Sequence, residues 1–199
     1  MLYGMLLLVL TALGADDGFV PSREAGDCVY TERPRSHAEG SAMRAVCTWA
    51  EVDPVGLNAR LRDFDSYEEL IWVIDQSEVR RTDPAGRLLV YQLQQLWGLN
   101  DREVLLWAWT ESVPDGERHR WVTATAEPLP PRKSTIRTPK NEGYWEVRAN
   151  PDGPGSVVTH QIAVDAGGMP LPAWLVRWAR TRGFARVMSE VRAAVHAPK

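Results

Sequence analysis

The sequence is poor in several things that would otherwise narrow its chemistry. It has two cysteines in 199 residues, Cys28 and Cys47, too few for a disulfide-stapled scaffold. Its four histidines are scattered, so no His-Glu metal cluster forms and no metal is expected. No Ser-His-Asp order accompanies a nucleophile elbow, which removes the commonest hydrolase arrangement. "GPGS", from Gly153 to Ser156, lacks the lysine and the helix of a phosphate loop and reads as a plain turn. Positive charge is not in excess. The net charge of -3 gives a whole-molecule field that does not favour nucleic acid. There is no internal repeat and no low-complexity tract. No organic cofactor is expected.

Tryptophan, in contrast, is plentiful: nine against three phenylalanines. Its large apolar body and single N–H donor suit either core packing or a surface that is greasy with one polar end. The apolar fraction of 44% is ordinary for a globular protein, and the length allows one domain with a sizeable core.

The first fifteen residues, "MLYGMLLLVLTALGA", carry no charged side chain, and their apolar run is too short to cross a bilayer comfortably. Small residues close it, with Ala12-Leu13-Gly14 or Leu13-Gly14-Ala15 as cleavage positions, before Asp16 and Asp17. Residues 1–15 therefore read as a signal peptide without the usual basic start, and the mature protein as extracytoplasmic, periplasmic or secreted. An uncleaved anchor is the alternative. In an oxidising compartment Cys28 and Cys47 are permitted to pair. A hairpin folded near His37–Ala38 would set them opposite one another, and closing that loop would stabilise by about 3 kcal/mol. Two unpaired thiols on a sheet are the other outcome.

Residues 16–26 are polar and read as a flexible lead-in. Strands are expected over Asp27–Pro34 and Ala42–Asp53, then short helices from Pro54 and over Ser66–Leu70. Pro54 suits a first helical turn, where no N–H is needed. Further strands follow near Trp72–Arg81 and Arg87–Leu96, then "REVLLWAWTES" and "ERHRWVTATAE" joined by "VPDG". A proline-rich crossing, "PLPPRKS", leads to "TIRTPKNEGYWEVRAN" and "VVTHQIAVD". Alternation puts Arg102, Val104 and Leu106 on one face and Trp107 and Trp109 on the other. Gly167 and Gly168 permit a turn with positive φ, and Pro170 and Pro172 fit only the opening of a helix. That helix should run from about Leu171 to Val195, with Gly183 marking a bend. The order predicts an α+β fold, a curved antiparallel sheet wrapped around a long C-terminal helix, which need not fill its middle.

Three stretches carry a family resemblance. They are "SAMRAVCTWAEVDPVGLNARLRDFDSYEELIW", "VYQLQQLWGLNDREVLLWAW" and "IRTPKNEGYWEVRAN…GSVVTHQIAVDAGGMPLPAWLVRW". The last combines a strand, a Gly-Gly turn, prolines and an aromatic helix start in order. Together they resemble a START domain, the lipid-transfer module of the helix-grip, Bet v 1-like superfamily, over residues 27–197. The family's Arg-Asp pair reads Arg102-Glu103 here, the middle proline of its "PWP" element is absent, and so is the N-terminal helix of many members. The resemblance implies a protein that binds, and transfers, a hydrophobic small molecule of the lipid or sterol class, with transient membrane contact and no catalytic residue. It makes Arg102 the candidate for the ligand's polar head and Gly167-Gly168 the hinge of a lid.

Val104 and Leu106 share the face of Arg102. His160, on the final strand, offers a hydrogen bond to a hydroxyl or carbonyl. Trp145, Leu175 and Trp178 are wall and roof candidates, and ordinary core packing is open for each. Two rivals remain: an envelope interaction protein with a filled cavity, and a cyclase or aromatase-like enzyme of the same superfamily. Oligomeric state is not legible.

Overall fold

The computed structural model describes residues 18–36, 40–95, 99–167 and 173–195. The N-terminal apolar run and its cleavage positions lie outside them, as do Gly168, Pro170, Leu171 and Pro172. Among the described residues, no helix is long and apolar enough to cross a membrane.

The strands are β1 (Val20–Ala25), β2 (Cys28–Ser36), β3 (Gly40–Trp49), β4 (Ile74–Thr82), β5 (Leu88–Gln94), β6 (Asp101–Val113), β7 (Gly116–Thr123), β8 (Thr135–Arg137), β9 (Lys140–Ala149) and β10 (Ser156–Asp165). They form one sheet in the order β1-β2-β3-β10-β9-β7-β6-β5-β4, with β8 beside the start of β6. Neighbours are antiparallel except β6 and β8. The helices are α1 (Pro54–Arg62), α2 (Tyr67–Leu70), α3 (Ala173–Trp178) and α4 (Phe184–Ala194). A 3-10 turn, Phe64–Ser66, precedes α2, and a π-helical segment, Ala179–Gly183, joins α3 to α4. This is the expected α+β helix-grip plan.

Local chemistry sets the elements. Asp53 caps α1, its Oδ2 accepting from the Gly56 N–H at 2.6 Å, and Pro54 occupies the first turn. Alternation divides the strands between two faces. The inner face carries Ala45, Cys47, Trp49, Val90, Val104, Leu106, Trp145, Val147 and Val158, which pack with Leu57, Leu61, Phe184, Met188 and Val191 of the helices into the main core. The outer face carries a second cluster of Leu89, Tyr91, Leu93 and Leu105, covered by Ala124 just after β7 and Leu129 from the proline-rich crossing.

Three expectations need correction. The lead-in over residues 16–26 contains β1, an edge strand paired with β2 through the turn at Gly26, whose φ is 58°. Its residues are mostly exposed, so no apolar alternation announces it. The stretch read as a single strand before Ala149 is two, β8 and β9, parted at Thr138-Pro139, where proline has no N–H for the ladder. The C-terminal helix is not uniform: the bend expected at Gly183 is a π segment ending there.

Cys28 and Cys47 face each other across β2 and β3 with Cα atoms 4.1 Å apart, and they are bonded. Beside them Arg192 of α4 donates to Asp27 at 3.1 Å and to Glu51 at 2.5 Å. The disulfide thus ties the rim on which the helix ends. Replacing both cysteines by serine should lower stability by about 3 kcal/mol. Urea unfolding against the parent checks this, and a mass gain of two hydrogens on reduction checks the bond.

Candidate functional site

The sheet curls around a helix too thin to meet all of its inner surface, and a hollow of about 190 Å³ remains. Three groups of residues line it. The inner sheet face supplies Met43, Gln92, Leu106, Asn141, Trp145, His160 and Ile162. Phe64, Tyr67, Ile71 and Trp72 close one side from the segment around α2, and Trp178, Phe184 and Val187 close the top from the C-terminal helix. The walls are overwhelmingly apolar. The volume exceeds the roughly 150 Å³ that holds benzene, and falls below the roughly 300 Å³ at which drug-sized sites begin.

His160 is the centre of the lining. Its ring lies flat on Trp145 at 3.7 Å and 6° between planes, and it stacks against Phe184 at 5.2 Å. Residues 160 and 145 are register partners on β10 and β9, so the stack is a cross-strand pair. Nδ1 donates to the Tyr144 carbonyl at 3.2 Å. Burial pushes the imidazole down to about 3, so it is neutral at physiological pH, with Nε2 as a bare acceptor. Trp121 lies across β9 above Gly143, where a Cβ would come within 2.8 Å of its ring. Its Nε1 donates to Asn141 Oδ1 at 2.9 Å.

Of the sequence candidates, Leu106, Trp145, His160 and Trp178 lie on the cavity wall. Val104 is buried in the adjoining core, one row away. Leu175 is half-buried on α3, away from the wall. Arg102 is 3% exposed and also off the wall, opposite Gln94, which is on it. One of its Nη atoms donates to the Asn100 carbonyl, and its Nε has no partner among the described residues. Burial holds this guanidinium below its ordinary value. Glu103 is on the outer face, with Tyr91 Oη 3.5 Å away. Gly167 has a φ of 66°, and a Cβ there would strike the Arg137 carbonyl at 2.7 Å, so the turn demands glycine. Gly168 lies outside the described residues.

The sequence reading missed Trp121, Asn141, Gly143 and Gly183 as parts of the site. A glycine in mid-strand signals close approach by a neighbour, and Gly143 does this for Trp121. Gly183 lies under the Trp178 ring, where a Cβ would come to 3.3 Å. Trp178 also meets the Trp72 edge at 5.8 Å.

No family model matches the chain. An uncharacterised protein of Pseudomonas aeruginosa is 27% identical over 164 residues, covering 81% of this chain and 78% of that protein. Among solved structures, the STAR-related lipid transfer protein of Xanthomonas axonopodis superposes with a TM-score of 0.75 at 19% identity, covering 91% of this chain and all of that one. Human STARD10 gives 0.78 at 15% identity, over 95% and 77% of the two chains. This chain has the START fold. At these identities the likeness concerns the fold alone.

A second buried imidazole supports the scaffold beside this hollow. His119, fully buried, donates from Nε2 to Asn58 Oδ1 at 2.9 Å and accepts from Thr110 Oγ1 at 2.9 Å, tying α1 to β6 and β7. Burial lowers it to about 4, against an opposing pull from Glu117. Both imidazoles bind a proton less readily folded than unfolded, where the value is about 6.5. Their contribution to stability is complete above about pH 6.5. It is lost as pH falls through about 4 for His119 and about 3 for His160. Urea midpoints should fall over that window, and a constant midpoint from neutral pH to about pH 4 would refute the assignment.

Proposed function

We propose that this protein binds, and transfers, a hydrophobic small molecule of the lipid or sterol class in the hollow beneath its C-terminal helix. The supporting observation is the hollow itself: an apolar pocket between the curved sheet and the C-terminal helix, furnished with a few polar groups. A lipid chain in water costs about 0.8 kcal/mol per methylene, so a carrier must offer nearly the apolar burial of a bilayer. A hollow of 190 Å³ holds a small guest or one end of a larger one. A long chain therefore needs the roof displaced. The turn at Gly167 and the π segment before α4 are the places where such motion would be absorbed. The STAR-related lipid transfer protein of Xanthomonas axonopodis is named for such a role.

His160 and Asn141 are the polar groups at the centre of the wall. Arg102, next to Gln94, would receive an oxygen from a guest long enough to reach that end. Membrane contact falls to α3, where Trp174 is 63% exposed and Arg177 is exposed on the same short helix. An indole and a guanidinium suit an anionic bilayer interface. The Cys28–Cys47 bond favours an extracytoplasmic setting.

Three experiments test this. Organic extraction of detergent-free protein, followed by mass spectrometry, should release a stoichiometric lipid. Trp178→Glu places a charge on the apolar roof and should cut ligand uptake at least tenfold while the β-sheet circular dichroism is unchanged. Full uptake by that variant would remove the roof from the site. Trp174→Ser should leave binding intact and slow exchange with anionic vesicles several-fold; unchanged exchange would place membrane contact elsewhere.

A further inference from the structure

Trp72 belongs to two cavities at once. It lines the hollow, and it also lines an open groove of about 920 Å³ between the α1–α2 segment and α4. The same elements supply both walls. Tyr67 and Ile71 face the hollow while Glu69 and Leu70 face the groove. On α4, Val187 faces the hollow, and Glu190 and Ala194 face the groove. Steps of three and four residues put these three on one side of the helix, so the groove continues the hollow along α4.

The partition is clamped from outside. The Trp72 backbone N–H donates to Glu190 Oε2 at 2.9 Å, and Oε1 of that carboxylate accepts from Arg186 Nε at 2.7 Å. The Arg186 guanidinium lies over the indole, 4.5 Å from its centroid. Trp178, on the roof, meets the ring edge-on at 5.8 Å, so displacing the roof frees one side of it. No hydrogen bond holds the indole itself: its Nε1 is buried without a partner among the described residues. A buried donor left unanswered is costly, and turning the ring toward the groove would hydrate it.

From this arrangement we infer that Trp72 sets the length of guest the protein accepts. In place, the indole ends the hollow; turned aside, it admits the rest of a longer chain to the groove. The inference rests on the binding role proposed above and adds the residue that decides between short and long guests.

The test measures the affinity of the intact protein for straight-chain alcohols from hexanol to dodecanol by calorimetry. An uncharged series suits a groove that carries Glu68, Glu69 and Glu190. Each methylene buried adds about fourfold in affinity. In the parent protein this gain should fall off once the hollow is full. In Trp72→Ala it should continue to dodecanol, which should bind at least tenfold more tightly than to the parent. Glu190→Gln leaves the hollow wall intact and weakens the clamp, so dodecanol should gain several-fold and hexanol nothing. Arg192 lies two residues on, across the same helix, and pairs with Asp27 and Glu51. Arg192→Gln should therefore change neither probe, and an equal gain there would mean general loosening of α4 and overturn the inference. An unbroken fourfold gain in the parent overturns it without relying on any variant. An unchanged fall-off in folded Trp72→Ala overturns it as well. Failure of every alcohol to bind the parent would sink the binding role itself, and this selectivity with it.

Discussion

A single helix is about 10–12 Å across, and a sheet of this width curls round more apolar surface than one helix can touch. That mismatch governs the molecule. Where α4 meets the sheet, Phe184, Met188 and Val191 make solid core with Tyr30, Trp49 and Val158. Toward α3 the contact thins, and large flat rings take over from branched aliphatics. Trp72, Trp121, Trp145, His160 and Trp178 line the space as panels that meet at their edges or faces. Rings of this kind keep a void open because their shape is fixed, whereas flexible side chains would collapse into it.

Curling also leaves the convex side of the sheet to be protected. Leu89, Tyr91, Leu93 and Leu105 would otherwise form an exposed apolar patch, and the proline-rich crossing lays Leu129 over them. Arginines finish the job. Arg80 covers Tyr91, Arg81 and Arg87 cover Trp107, Arg120 covers Trp109, and Arg118 covers Tyr144. The planar guanidinium stacks on a ring while keeping its charge in water, which fits a chain in which arginine far outnumbers lysine. The outward-facing Trp107 and Trp109 of β6 are thus partnered within the chain.

Much of this was legible in the residues because two signals are local. Alternation assigned Arg102, Val104 and Leu106 to the inner face, and the order of turns and strands gave the sheet and its terminal helix. The Cys28–Cys47 register followed from one hairpin. Less was legible where the cause lies across the sheet. The stack of His160 on Trp145 depends on β10 pairing with β9 in one register, and no window of sequence contains both strands' alignment. Trp121 reaches Asn141 because Gly143 leaves room, a relation between two strands. Arg102 shows the converse: its face was read correctly, yet its position along the strand carries it past the end of the hollow, and strand parity says nothing about depth. The edge strand β1 escaped notice because exposure on both faces erases the alternation that betrays a strand.

Widening one turn inserts a residue into a helix that advances about 100° per residue, so everything before the insertion is rotated by that amount relative to everything after it. The Thr181 hydroxyl caps the widened turn by bonding the Arg177 carbonyl at 2.8 Å. Without the extra residue, the azimuth that now aims Trp178 at the void would point elsewhere, and the indole would leave its seat over Gly183. A helix whose two halves are out of phase can present one side to a packed interior and a different side to a chamber.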